Sequence, residues 1–439
     1  MIDKTQLKAT LHELYSDFYE SELPALTRRE CELPQLPNSA TVVVGMRRTG
    51  KTYLLYQKMG DLLSAGLARS RMLYLNFEDD RLMGMTVDDL RLVTDVYYSM
   101  YPNNRSELCY FFFDEIQNIE HWEMFIRRLV DTPNTAVFLS GSSAKLLSKE
   151  LATAMRGRSV EVENFPLSFS EFLLYHKYVE QIPQNISSAT RSKLQNAVER
   201  YFTIGGMPAV QTIEEQLRAS ILQGYVNSVI YRDVAERYSI PNSQALKFIM
   251  QMLFNNPARP LSVRKIADFL SSQQITISRE YTADYLDYLV DSYLVHRVSL
   301  YSESASKRRL NPDKYYLNDV GIIRSMRIKH ALDLGPLLEN LVYLHLRHQG
   351  YKLEYVLTSD KSEVDFFASK PMQGDYKLIQ VCYDMSNQNT FQREVTALHD
   401  ASESLGIKER YVITWDDDST LENGIRVLPI WKFLLNRFE

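Results

Sequence analysis

Two hydropathy textures alternate along the chain. The first is a set of short apolar runs, each ending in polar or acidic residues: TVVVG (41–45), RMLYLNFED (71–79), CYFFFDE (109–115) and TAVFLSG (135–141). Polar stretches with helical spacing separate them, beginning with TYLLYQKMGDLL. Continuous apolar strands spaced by helices predict a parallel sheet covered on both faces. SVEVENFPLSFSEFLLYH (159–176) adds a last strand and a helix. Ahead of this region the pattern predicts a helix from Thr5 to about Glu22, then a proline-punctuated linker, LPALTRRECELPQLPN.

The second texture is helical from about 186 to 255, broken once at IGGMPAV (204–210). LSVRKIADFL then reads as an amphipathic helix capped by Ser262. ISREYTADYLDYLVDSYLV reads as another, with Tyr281, Tyr285, Leu286, Tyr288 and Leu289 as its apolar positions. LVHRVSL and KYYLND predict short strands joined by the polar loop YSESASKRRLNPD. Two helices followed by a hairpin is the order of a winged helix. From 336 the order changes again: a helix over Leu337–Gln349, strands at KLEYVL, EVDFFAS, YKLIQVC, ERYVITW and RVLPI, and a helix near 391–404. The expected division is 1–38 helix and linker, 39–180 parallel-sheet domain, 181–258 helical connector, 259–330 winged helix and 331–439 a second α/β module.

Composition narrows this picture. At 439 residues and 45% hydrophobic the chain is long and apolar enough for two to four folded domains. No run approaches the ~18 apolar residues of a membrane span, and the N-terminus lacks the apolar core of a signal peptide. The three cysteines, Cys31, Cys109 and Cys382, are far apart and form no CxxC, which argues against a disulfide framework or a zinc site. The chain is expected in the cytoplasm, away from membranes. A net charge of −5 argues against a globally basic nucleic-acid coat, but leaves room for a local basic face.

Gly45-Met46-Arg47-Arg48-Thr49-Gly50-Lys51-Thr52 fits GxxxxGK[ST] without a departure. Glycines let such a loop curl so that its N–H groups face a phosphate. Lys51 would reach the β- and γ-phosphates of ATP, and the Thr52 hydroxyl could ligate Mg²⁺. The helix that follows adds its N-terminal dipole. Asp114-Glu115 ends an apolar strand 63 residues after Lys51. Asp114 is expected to hold Mg²⁺ through water and Glu115 to polarise the attacking water.

With these motifs residues 40–175 resemble the AAA+ superfamily ATPase domain of many bacterial and archaeal proteins. The resemblance is carried by VVVGMRRTGKTYLL, YLNFEDDRL, FFFDEIQNIEHWEMFIRRLVD, VFLSGSSAKLL and AMRGRSVEVENFPLSFSEFL. It implies that Ser140 senses the γ-phosphate from the end of the fourth strand. It makes Arg158 and Arg156 candidates for phosphate sensing or for an arginine finger, with Arg127 and Arg128 as weaker ones.

Between 259 and 330 the chain has 12 Lys and Arg against 8 Asp and Glu, a net of +4 within an acidic protein. Lys307, Arg308 and Arg309 would sit at a wing tip and are the best candidates for DNA phosphate contact. Glu280, Asp284, Asp287 and Asp291 on the second helix oppose DNA on that face, so a protein-contact role stands equally.

Beyond 336, Glu339 on a helix, Asp365 on a strand and Gln380-Val381-Cys382 on the next resemble a PD-(D/E)xK nuclease core. That core gathers carboxylates around Mg²⁺ and uses a lysine to orient water. Gln380 stands where an acid is usual and can still offer an oxygen. Cys382 stands where lysine would be, and a neutral thiol cannot replace an ammonium. Lys361 and Lys377 are nearby in sequence. The departure implies a degenerate, restriction-endonuclease-like fold used for binding. His345 and His348, at i and i+3, are read as an exposed helix face.

The expected whole is an α/β protein: an AAA+ P-loop core, a helical connector, a winged helix and a nuclease-like module. Its expected function is Mg-dependent ATP hydrolysis driving a nucleotide switch associated with DNA. A switch that recruits a protein partner without DNA, and an ATP-gated metal-dependent nuclease, stand as alternatives. The sequence leaves the oligomeric state open.

Overall fold

The computed structural model describes residues 3–141, 155–183, 186–327, 333–386 and 388–438. The chain forms two compact units, Met1–Phe165 and Pro166–Glu439.

In the first unit, helix α1 (Lys4–Glu20) starts where Asp3 accepts the Gln6 N–H, and buries Leu7, Leu11, Tyr15 and Phe18 along one stripe. The strands are β1 (Ala40–Val44), β2 (Met72–Asn76), β3 (Cys109–Asp114), β4 (Thr135–Ser140) and β5 (Ser159–Glu163). They pair in parallel in the order β2-β3-β4-β1-β5. The apolar runs predict these strands because β1 and β3 are buried at every position, which leaves no polar alternation. Helix α2 (Lys51–Ser64) packs Leu54, Leu55 and Met59 onto Val43, Phe112 and Phe138. Phe112 and Phe138 stack across neighbouring strands, centroids 5.0 Å apart. Helices α3 (Leu90–Met100) and α4 (Trp122–Val130) complete the layers around the sheet. This is the expected α/β P-loop core. The part of the VFLSGSSAKLL and AMRGR segments at 142–154 lies outside the described residues.

The second unit opens with α5 (Phe169–Tyr175), α6 (Ser188–Ile204) and α7 (Glu215–Ser228), which runs on as a π-helical stretch over Val229–Glu236. The predicted break after α6 is real. Gly205 has φ 79°, and a Cβ there would lie 2.2 Å from an Asp319 carboxylate oxygen, so only glycine fits. Next come α8 (Ser243–Asn255), β6 (Pro260–Leu261), α9 (Val263–Ser272) and α10 (Arg279–Asp291). Ser262 caps α9 as expected, accepting the Lys265 N–H at 3.1 Å. On α10 the buried positions are Thr282, Tyr285, Leu286 and Leu289; Tyr281, expected on the apolar face, is exposed.

Strands β7 (Val295–Val298) and β8 (Asp313–Leu317) follow, with β6 pairing β8 to give a three-stranded antiparallel sheet. The loop between β7 and β8 is not wholly irregular: Ala305–Leu310 forms helix α11, capped by Ser304. A short helix α12 (Val320–Met326) leads to α13 (Leu334–His348). The last layer is a mixed sheet in the order β13-β14-β12-β11-β10-β9, made of β9 (Lys352–Leu357), β10 (Glu363–Lys370), β11 (Asp375–Val381), β12 (Arg410–Thr414), β13 (Ser419–Thr420) and β14 (Arg426–Pro429). Helix α14 (Gln388–Leu405) covers one face, with Leu398 packed among Val364, Leu378, Val412 and Val427. Leu300, just after β7, bridges Tyr355 of β9, so the three-stranded sheet runs on to the edge of the larger one. Among the described residues no helix is long and apolar enough to cross a membrane.

Candidate functional site

The first candidate site lies at the carboxyl ends of β1, β3 and β4, where open parallel sheets bind ligands. Gly45 leaves β1 with φ 138°, and a Cβ there would come within 2.4 Å of the Asn164 carbonyl oxygen. Gly50 caps α2 in the left-handed region, φ 95°. Between them the Thr49 hydroxyl donates to the Met46 carbonyl at 2.9 Å, curling the loop. Lys51 is buried, its Nζ 3.1 Å from the carbonyls of both Gly45 and Met46. Arg47 pairs with Glu78 at 3.6 Å, and Arg48 takes a positive φ of 70°.

Two residues outside the motif brace this loop. Asn164, just past β5, donates to the Thr49 carbonyl at 3.0 Å, and its N–H bonds the Val44 carbonyl at 2.8 Å. Arg29, from the proline-punctuated linker, donates to the Thr49 carbonyl at 3.0 Å and the Phe165 carbonyl at 2.7 Å. Neither announces itself in the sequence, because each lies far along the chain in a segment without periodicity.

Asp114 ends β3 only 1% exposed. It accepts hydrogen bonds from the hydroxyls of Thr52 (2.7 Å) and Tyr74 (3.0 Å), and from Ser140. Burial pushes its carboxyl above the usual value; the Ser140 and Thr52 bonds pull the other way. Ser140 also accepts the Glu115 N–H at 3.3 Å. Glu115 adopts a left-handed backbone, φ 52°, and its carboxylate accepts from Gln117. The structure therefore brings Lys51, Thr52, Asp114, Glu115 and Ser140 together. Thr52 and Asp114 present the oxygen donors that Mg²⁺ prefers, and hydroxyls rather than cations hold the carboxylate, so the set fits that ion.

Arg158 is not part of this group. Its carbonyl accepts the Ala40 N–H at the start of β1, and its guanidinium pairs with Asp131, which follows α4. The phosphate loop leaves the other end of β1. At about 3.3 Å per residue, five residues separate them by roughly 16 Å. Arg158 cannot serve the phosphate loop of its own chain.

A second acidic group lies in the last unit. Asp365, on β10, sits where the β9 pairing slips between Val364 and Phe367. Its Oδ2 accepts the Val381 N–H at 2.9 Å, and its own N–H donates to the Gln380 side-chain oxygen at 3.2 Å. That oxygen, expected as a metal donor, is thus engaged by the backbone. Cys382 is buried, and burial first and Glu394 second push its thiol up to about 12. Glu394, on α14, is raised to about 7 by burial and by Asp365.

The sequence reading missed Lys314. This β8 lysine is 1% exposed, and its ammonium bonds Glu339 (2.7 Å), Glu363 (2.7 Å) and Asp365 (3.1 Å). Tyr316, two residues on, donates to the same Glu339 oxygen at 2.7 Å. Burial opposes the charge of Lys314, but the surrounding acids outweigh it and hold the ammonium well above its usual range. Burial, with Asp365 beside it, raises Glu339. Lys361 and Lys377 play no such part: Lys361 lies in a turn at φ 67°, and Lys377 pairs with Asp375 and Glu409. His345 corrects another expectation. It is buried, its Nε2 3.0 Å from the Asn436 side-chain oxygen.

The third expected contact set, Lys307, Arg308 and Arg309, lies exposed on α11 rather than in a loop. Arg308 and Arg309 line a cleft of about 670 Å³ together with Arg297, Arg347 and Lys352; Asp313 and Glu354 are its acids.

An AAA domain matches residues 37–173, and two domains of unknown function, DUF8612 and DUF4143, match 195–334 and 334–433. Uncharacterized protein MJ1544 of Methanocaldococcus jannaschii is 34% identical, over 99% of this chain and 96% of that protein. An uncharacterized protein of Haemophilus influenzae is 32% identical over 94% and 99%. Among solved structures, the Walker-type ATPase PABY2304 of Pyrococcus abyssi covers 70% of this chain and 99% of its own at 14% identity, TM-score 0.45. The Aeropyrum pernix ORC1 protein, solved in complex with DNA, covers 74% and 91% at 14% identity, TM-score 0.27. Neither structural likeness is close enough to say what this chain binds.

Proposed function

The chain belongs to the family of the Methanocaldococcus jannaschii protein MJ1544 and carries an AAA-type P-loop ATPase domain; on that premise we propose that it binds Mg·ATP, hydrolyses it slowly and works as a nucleotide-driven switch associated with DNA. One observation carries the nucleotide part. Lys51, Thr52, Asp114 and Ser140 converge at the carboxyl end of one parallel sheet, on a loop braced by Arg29 and Asn164. In this reading the loop N–H groups and Lys51 hold the phosphates. Thr52 and Asp114 are the residues that would hold Mg²⁺, which when bound neutralises phosphate charge. Glu115 orients the attacking water as its base, and Ser140, bonded to both Asp114 and the Glu115 N–H, keeps the two acids in register.

The DNA part is supported by the cleft beside α11, where five cationic side chains face two acids. Lys307 extends the same exposed helix. The test is ATP hydrolysis with and without duplex DNA, for wild type, Lys51→Ala and Glu115→Gln, together with DNA binding across a salt series. Stimulation by DNA supports the reading. Replacing Lys307, Arg308 and Arg309 by alanine is expected to flatten the log–log salt slope by about 0.9 for each DNA phosphate that is no longer neutralised. No binding at low salt would remove DNA and leave a switch that recruits a protein. An ATPase rate unchanged by Glu115→Gln would remove the assigned base.

A further inference from the structure

A nuclease-like core would place one or two divalent ions among Glu339, Asp365 and the neighbouring strand. The residues present do not fit such an ion, because a cation already stands there. An ammonium has three N–H donors and no acceptor. Lys314 meets three separate carboxylates, those of Glu339, Glu363 and Asp365, at 2.7, 2.7 and 3.1 Å. Each donor has its acid, so none is left to orient a water for hydrolysis. Further bonds fix the cluster: Asp365 Oδ2 accepts the Val381 N–H, the Gln380 amide oxygen accepts the Asp365 N–H, and Tyr316 donates to the Glu339 oxygen that Lys314 already holds. Lys314 is 1% exposed, so the chain has no room to swing its charge into water and vacate the place.

We propose that Lys314 is the resident cation of this cluster: its ammonium takes the position a divalent metal would hold, and the module is a closed, non-hydrolytic element in which three acids fasten β8 to α13 and β10. The chemistry follows from the charge carried. A divalent ion exchanges with solvent and can polarise a bound oxygen. An ammonium tethered to β8 does neither, and it fills the point where the three carboxylates converge. What the cluster gains is a covalent link: the charge that the three acids share is itself part of β8, so the hairpin and the last sheet are held by one side chain. Lys314 holds this place whether or not the phosphate site drives a switch.

Calcium tests this directly, because its contacts of about 2.3–2.6 Å and its flexible coordination lie nearest to those of Lys314. Calorimetric titration of Ca²⁺ into the nucleotide-free full chain compares wild type, Asp365→Asn, Lys314→Met and the double variant Lys314→Met/Asp365→Asn. Wild type and Asp365→Asn are expected to give the same heats. Lys314→Met is expected to gain one Ca²⁺ that the double variant loses. A folded Lys314→Met that takes no such ion would overturn the assignment. Should Lys314→Met not fold, the wild type decides. Ca²⁺ uptake that Asp365→Asn removes, or Mn²⁺-dependent cleavage of DNA or RNA that Asp365→Asn removes, would overturn it; identical heats and intact nucleic acid uphold it.

Discussion

Asp114 and Asp365 are both buried aspartates, 1% and 5% exposed, and they are kept by opposite means. Three hydroxyls, from Thr52, Tyr74 and Ser140, hold Asp114. An ammonium shared with two other acids holds Asp365. Hydroxyls satisfy a carboxylate's lone pairs without cancelling its charge, so Asp114 remains attractive to an incoming cation. The ammonium offsets part of the acids' charge and fills the point where they converge, so an incoming cation finds that position taken. The kind of donor, more than the presence of acids, separates an acid left open to a cation from acids that already hold one.

The largest way to break this comparison is at the phosphate loop. Lys51→Ala is expected to lower ATP turnover by about 10²–10³ or more, since it removes a preorganised positive donor. Glu115→Gln is expected to lower turnover by about 10²–10⁴ while ATP binding survives. Steady-state phosphate release and nucleotide titration separate the two. Equal weakening of ATP binding in both variants would contradict the roles assigned.

Next in size is Lys314→Met. Removing one partner of a buried ion cluster strands the rest, at about 3–5 kcal/mol. Of the three tryptophans, Trp415 and Trp431 report on the second unit and Trp122 on the first. Urea unfolding followed in a Trp122→Phe background should therefore show the destabilisation in the second unit. A change under about 1 kcal/mol would mean that the ammonium contributes little.

The smallest effect has the opposite sign. Burial raises Asp114 above its ordinary 3.8. A carboxyl raised in the folded state binds its proton more tightly there than in the unfolded chain. Its contribution is most favourable below about pH 4 and is lost as pH rises through the folded value. Asp114→Asn cannot ionise, so at pH 7 it should stabilise the nucleotide-free first unit by about 1 kcal/mol or less, discounted for the three hydroxyl bonds. The advantage should vanish below about pH 4. Melting followed by Trp122 checks this. Neutralising one site's charge should thus stabilise, and neutralising the other's should destabilise.

The two sites also differed in how far they could be read from sequence. The phosphate loop is eight consecutive residues, and Asp114 follows an apolar run whose continuity predicts a buried strand. Local order suffices there because each part sits at the end of its own strand. The closed cluster takes residues 314, 339, 363 and 365 from three elements, and its lysine comes from a hairpin outside the module whose spacing suggested Cys382 as the vacancy. A lysine in KYYLND looks like any strand-edge cation until the fold buries it. Arg158 misses the phosphate loop of its own chain for the converse reason: a glycine–arginine signature carries no direction, and the register of β5 on β1 sets it at the far end of the strand. His345 lay on a helix whose burial continues almost all round, so the spacing alone could not tell an inner face from an outer one.

Asn164 carries a mechanical consequence. Its side chain grips Thr49 inside the phosphate loop, its N–H grips Val44, and one residue later Arg29 grips both Thr49 and the Phe165 carbonyl. Phe165 is the last residue of the first unit. A loop that tightens around a phosphate would draw on Asn164 and Phe165 through hydrogen bonds of about 3 Å, and from there the chain itself carries the pull onward. Asn164 and Phe165 are thus where the phosphate loop is tied to the chain that leaves the first unit.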